Sequence, residues 1–280
     1  MFADWLGVAL ACAATTVVVM AVVAVVVRRS GRVAVMDVLW GPLILLNSVT
    51  AVLVGPSGAP AWLMLAVVAV WAARLSRHLL TRVGHDVEDP RYEELMEKPA
   101  SSLLTSVLLP QGAVAWLVSV PLQVAAAAGA TGDSGARWAL VVVGVAVALA
   151  GLVVETVADR QLDAFRAQGV SGRVMDRGLW SWSRHPNYFG EAVVWWGIWI
   201  AAAGAVPSAP AALLALVSPV AMTVTLVWGT GARLLEKRMQ GRAGWEDYRR
   251  RTSAFIPLPP RRSTPPETRN PQGPQDRRSR

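Results

Sequence analysis

Windows of about 20 predominantly apolar residues return along this chain, and nothing else in it restricts folding so strongly. Seven are present, near 5–27, 35–54, 61–80, 104–128, 137–157, 188–206 and 209–230. Each is long enough to cross a hydrocarbon core of about 30 Å as a helix, which satisfies every backbone group inside its own segment. A membrane β-barrel requires roughly ten-residue alternating segments, and runs such as TTVVVMAVVAVVV do not alternate. With 54% hydrophobic and 16% charged residues over 280 positions, an ordinary soluble domain is excluded. The expected fold is all-α: a polytopic membrane helical bundle of about seven transmembrane helices, one domain over 1–256.

Positive charge supplies the orientation. Of the 27 Lys and Arg residues, 24 fall in the connections after the first, third, fifth and seventh windows, Arg74 and Arg77 lie in the last turns of the third, and Arg137 alone falls on the other side. This bias predicts an N-terminus outside and a C-terminus in the cytoplasm, which an odd number of spans allows. No Lys or Arg precedes the first window, which is also longer than a signal-peptide core, so it is expected to stay as a span. Cys12, the single cysteine, can build neither an intramolecular disulfide nor a cysteine metal site. Only three histidines are present, and no metal site is expected. Residues 257–280 are proline-rich, polar and basic and are expected to be a disordered tail held near anionic lipid.

Ionisable groups at membrane depth are costly and draw functional hypotheses. In the fifth window Gly144, Ala148 and Gly151 form a small-residue face that continues to Glu155, Asp159 and Arg166. In SWSRHPNYFGE (181–191), Pro186 suits the first turn of a helix, and Asn187 and Glu191 share its next face. Trp71, Arg74 and His78 share a face of the third window, and Asp37 lies one turn before Trp40 at the start of the second. An Asp37–Arg74 ion pair and a catalytic role for these groups stand as alternatives. Residues 81–98 form a mixed-charge connection whose Glu88, Asp89, Arg91 and Tyr92 make a solvated surface or a lid. ARLLEKRMQGRAGWEDYRRR predicts a helix, a turn around Gly241 and Gly244, and a second basic helix. Together with Arg160, Arg166, Arg173, Arg177 and Arg184 it forms a cationic reservoir suited to a phosphorylated ligand.

ADRQLDAFR, GLWSWSRHPNYFGE and EDYRRRTSAFIP resemble the DUF1295 family, bacterial relatives of the C-terminal domain of steroid 5-alpha-reductases, most densely over 155–257. The first half resembles it through DVLWG and EDPRY. The resemblance implies a membrane NADPH-dependent reductase acting on a conjugated carbon–carbon double bond of a lipophilic substrate. The cofactor is held from the cytoplasmic side of a bacterial inner membrane, the substrate enters from the bilayer, membrane lipids are the other partners and nucleic acid is not one. By that resemblance Asn187 and Glu191 bind NADPH, Asp159 and Arg166 support it from the preceding helix, and Glu155 stands where the steroid enzymes have an asparagine. Arg173 and Arg177 match the phosphate positions, and Tyr248 matches the C-terminal clamp. Arg184, His185 and Tyr188 belong to the same cofactor segment. Asp37 roughly matches a substrate-side glutamate, whereas Trp71 falls where those enzymes have a tyrosine and cannot donate a proton as a phenol can. Asp37 and His78 are the candidate acids of the reaction.

Isoprenylcysteine carboxyl and phospholipid methyltransferases, which use S-adenosylmethionine, share the pattern met here by Arg184, His185, Pro186, Tyr188 and Gly190. LLEKRM resembles their paired glutamates with Lys237 in place of the second. A family member that binds lipid without turnover is the third reading.

Overall fold

The computed structural model describes residues 2–30, 35–83, 104–129, 134–169, 172–229 and 231–261. Of the connection expected over 81–98, residues 84–98 lie outside the described residues, as does the expected disordered tail 257–280 from residue 262 on. The first residues of that tail are held, with the Leu258 and Arg261 N–H groups donating to the Trp182 and Arg251 carbonyls at 3.0 and 2.9 Å. Helices dominate: α1 (Phe2–Ser30), α2 (Val35–Val54), α3 (Ala59–Val83), α4 (Leu109–Val118), α5 (Val120–Ala128), α6 (Gly135–Arg166) and α7 (Pro186–Ala205). The short helices α8 (Ala209–Ala215), α9 (Val217–Val224), α10 (Ala232–Met239) and α11 (Trp245–Arg251) complete the chain. Among the described residues five helices are long and apolar enough to cross a membrane, or six if the bent pair 104–118 and 120–128 is one span. The protein is an all-helical integral membrane protein, with large apolar side chains such as Leu10, Val17 and Val18 exposed along α1 where lipid tails would cover them.

α7 occupies the sixth expected window without being among those apolar helices. Asn187, Tyr188, Glu191 and three tryptophans lower its hydropathy, while packing buries most of its length.

Small residues set the closest contact of the bundle. Gly144, Ala148 and Gly151 of α6 face Gly190, Gly197 and Ala201 of α7. A Cβ on Gly144 would lie 2.3 Å from the Ala201 nitrogen, and one on Gly197 would lie 2.4 Å from the Ala148 nitrogen. Such backbone contact is how helices gain dispersion energy where lipid offers no hydrophobic drive between them. The face read from α6 is therefore a packing face, and it carries Glu155 and Asp159 to the edge of α7.

The bend of 40° between α4 and α5 also has a local cause. Pro121 lacks the N–H that would continue the ladder, and the Ser119 hydroxyl and the Gln123 amide donate to the Trp116 carbonyl at 2.7 and 3.2 Å. Deep between α1 and α2, Thr16 and Asn47 bond side chain to side chain at 2.9 to 3.1 Å, pairing polar groups that hydrocarbon would leave unsatisfied. Trp71 and Trp195 are fully buried with ring centroids 5.1 Å apart, and Trp40 stands edge-on to Trp71 at 6.3 Å, so these three tryptophans are core.

Candidate functional site

At one end of the bundle three helices deliver ionisable groups to one place. Arg74 of α3 donates to the carboxylates of both Glu155 and Asp159, which α6 places one turn apart on a single face. The Asn187 amide, in the first turn of α7, donates to Asp159 Oδ1 at 3.1 Å. Glu191, one turn further along α7, is buried and within electrostatic reach of Arg74 and Asp159. His78, one turn beyond Arg74, brings Nε2 within 3.7 Å of Asp159 Oδ2 and Nδ1 within 3.6 Å of Asp163 Oδ2.

Arg74 therefore serves α6 with its guanidinium, and the ion pair that formed the structural alternative in the sequence, Asp37 with Arg74, yields to pairing across α3 and α6. Asp37 lies exposed in the first turn of α2. Near its helix the Ser76 hydroxyl donates to the Val38 carbonyl at 3.3 Å and holds α3 against α2.

Two buried acceptors in this cluster have no hydrogen-bond donor among the described residues: Glu155 Oε2 and Asn187 Oδ1. In a low-dielectric interior an unsatisfied buried polar atom costs about 1–3 kcal/mol, so the two beside Asp159 mark where donors from outside the described chain, a ligand's or a water's, are accepted. A primary carboxamide or amine, with two N–H groups, is the chemistry they accept. The carboxamide of a nicotinamide is one group that carries donors of this kind.

A second polar assembly lies in the segment before α7. Arg184 donates through Nε to Glu236 Oε1 at 2.8 Å and to the carbonyls of Arg249 and Thr252 at 2.8 and 3.0 Å. His185 Nε2 lies 3.1 Å from the same Glu236 oxygen, and its ring stacks on Tyr188 with centroids 5.7 Å apart. The Tyr248 hydroxyl donates to the Trp180 carbonyl at 2.7 Å, and burial pushes its ionisation well above the ordinary tyrosine range. Ser183 pairs with Ser253 across a single β-bridge, and Arg251 pairs with Asp176, whose hydrogen bond raises the ionisation of the guanidinium further. These contacts fasten α10, α11 and the chain after them onto residues 176–185.

The thirteen sequence candidates thus separate by location. Glu155, Asp159, Asn187, Glu191 and His78 meet in the first assembly, and Arg184, His185, Tyr188 and Tyr248 in the second. Arg173 and Arg177 lie exposed on the connection from α6 to α7, Arg166 is exposed 3.9 Å from Asp163, and Asp37 is exposed at the start of α2. Sequence reasoning missed Asp163, Asp176 and Glu236 as partners. It also missed the glycine repeat of α7, although Gly190, Gly197 and Gly204 are visible at a seven-residue interval.

Residues 23–252 match the family model DUF1295, described as a protein of unknown function. No curated protein and no solved structure matches the chain.

Proposed function

We propose, from the premise that this chain belongs to the DUF1295 family, that it is an integral membrane NADPH-dependent reductase of a lipophilic substrate, acting on a conjugated carbon–carbon double bond. The observation that carries the reading is the pair of orphaned buried acceptors, Asn187 Oδ1 and Glu155 Oε2, beside Asp159. They would take the two N–H groups of a nicotinamide carboxamide, with Glu191 and Asp159 completing the polar wall. When bound, NADPH supplies the reducing equivalent.

The chain's own residues divide the remaining work. Arg173 and Arg177, exposed on the connection before α7, and Arg166, exposed at the end of α6, would hold phosphate oxygens. Arg184, His185 and Tyr248 have their polar atoms engaged inside the protein, so they position the cofactor segment. Trp71 and Trp195, one turn from Arg74 and Glu191 on α3 and α7, are core side chains packed edge to face, and the substrate would come from the bilayer. His78, in contact with the cluster, is the better of the two candidate acids, since Asp37 is exposed at the start of α2.

One observation favours a second reading. Three carboxyl groups gather about Arg74, and that excess of acid suits the sulfonium cation of S-adenosylmethionine.

Mass spectrometry of nucleotide co-purified in mild detergent, with NADPH and S-adenosylmethionine titrations beside it, separates these readings. The expected result is NADPH binding that weakens about tenfold in Asn187→Ala and Glu191→Ala, roughly 1.4 kcal/mol each. Binding of S-adenosylmethionine alone would replace the reductase with a methyltransferase. Binding of neither leaves a non-catalytic lipid-binding protein.

A further inference from the structure

Asp163, Asp159 and Glu155 lie at four-residue intervals on one face of α6, and their exposure falls steeply along it. The side chains are 50%, 8% and 3% accessible in that order. One face thus runs from solvent to the buried cluster. Four residues of helix span about 6 Å, too far for a proton to pass directly between Asp163 and Asp159. His78 fills that gap: Nδ1 faces Asp163 at 3.6 Å and Nε2 faces Asp159 at 3.7 Å. Both distances are ones that a small side-chain shift closes to hydrogen-bond range.

We infer that Asp163, His78 and Asp159 form a proton relay that supplies the buried carboxyl cluster from the aqueous rim of the bundle. Imidazole suits the middle position because it takes a proton at one nitrogen and releases one from the other. In one passage the O–H bond of protonated Asp163 breaks as an N–H bond forms at Nδ1. The N–H bond at Nε2 then breaks as an O–H bond forms at Asp159 Oδ2. The imidazole ends as the other neutral tautomer, and it resets by releasing the Nδ1 proton to water and taking one from water at Nε2 before the next passage. No electron moves.

Among the charged groups around His78, Arg74 donates to the same Asp159 oxygen, so that hydrogen bond breaks as the O–H bond forms, and Glu155 keeps the guanidinium. Arg74 stands one turn away on α3 and holds Asp159 and Glu155, and Arg77, beside His78 in sequence, is exposed. From α6, Asp159 and Asp163 face the ring directly, and Arg166 lies 3.9 Å from Asp163. α2 contributes its Val38 carbonyl to neighbouring Ser76, with Asp37 exposed one residue before it. The inference deepens the reductase reading, in which each reduced double bond consumes one proton from water, but its test does not require a cofactor.

The test follows protonation of the buried carboxyls in liposomes by their infrared carbonyl stretch after a light-triggered proton release, with Asp159→Asn assigning the band. His78→Gln is expected to slow the rise roughly tenfold or more, and Asp163→Asn to slow it severalfold. Free imidazole in the buffer is expected to restore the rate in His78→Gly, which a purely structural role for the ring would not allow. A His78→Gln rate within about twofold of the unaltered protein, or failure of imidazole to restore His78→Gly, overturns the relay. A relay that passes these tests in a protein that binds no NADPH removes the reductase reading and leaves the proton path.

Discussion

Arg74 and Arg184 each gather carboxylate and backbone oxygen at the same polar end of the molecule, yet their surroundings differ in one chemical respect. Around Arg184 the contacts of the charged groups close: its nitrogens reach Glu236 and two backbone carbonyls, His185 shares the same carboxylate, and Tyr248 finishes the fastening, with the buried Thr252 hydroxyl left unpartnered among the described residues. Around Arg74 they remain open, because Glu155 Oε2 and Asn187 Oδ1 are buried without a donor among the described residues. A network whose charged members are all paired holds a chain together. One that leaves acceptors over is suited to a ligand, and charge density alone would not have distinguished the two.

The strongest way to break this contrast is Arg74→Ala. It strips Glu155 and Asp159 of their shared guanidinium, and removing one partner of a buried pair costs about 3–5 kcal/mol. Thermal unfolding in detergent is expected to show a fall on that scale, with much of it recovered when Glu155→Gln and Asp159→Asn are added. Next in size is Gly197→Ala, whose new Cβ would lie 2.4 Å from the Ala148 nitrogen. Pushing α6 from α7 should cost about 1–3 kcal/mol and weaken nucleotide binding, while protease resistance of residues 232–261 stays unchanged.

Glu236→Gln sharpens the comparison from the other side. The carboxylate is partly exposed, so the loss is about 1 kcal/mol. It should appear as faster proteolysis of residues 232–261, with NADPH affinity within about twofold of the unaltered protein. Faster proteolysis accompanied by complete loss of binding would mean that the two assemblies act as one.

The smallest effect belongs to Tyr248→Phe, which removes one hydrogen bond worth about 1 kcal/mol or less. It also carries a pH signature. Burial raises the ionisation of this phenol in the folded protein, so above about pH 10 the unfolded chain releases a proton that the folded one keeps. Stability contributed by the neutral phenol is complete below that pH and is lost as pH rises through the folded value. The alkaline fall in stability should therefore be shallower in Tyr248→Phe.

Much of the fold is legible in the amino-acid order. The seven apolar windows form helical segments near their expected positions, Pro186 opens α7, and the turn at Gly241 and Gly244 separates α10 from α11. Asn187 and Glu191 lie on one face because helices repeat every 3.6 residues, which is a local rule. Arg74 is equally visible, but its partner is not: spacing fixes which way a side chain points and says nothing of the helix it meets.

Sequence by itself determined the membrane class, the positions of the helices and the polar ends on which chemistry could be placed. Hydrophobicity and backbone satisfaction act within a single segment, so they are written in local order. The tertiary structure alone decided that α6 and α7 touch through glycine, that Arg74 serves α6, and that Arg184 is consumed by Glu236 while acceptors beside Asp159 stay open. Those outcomes depend on packing between residues as many as 85 positions apart, and the difference between a fastening and a binding site arises only there.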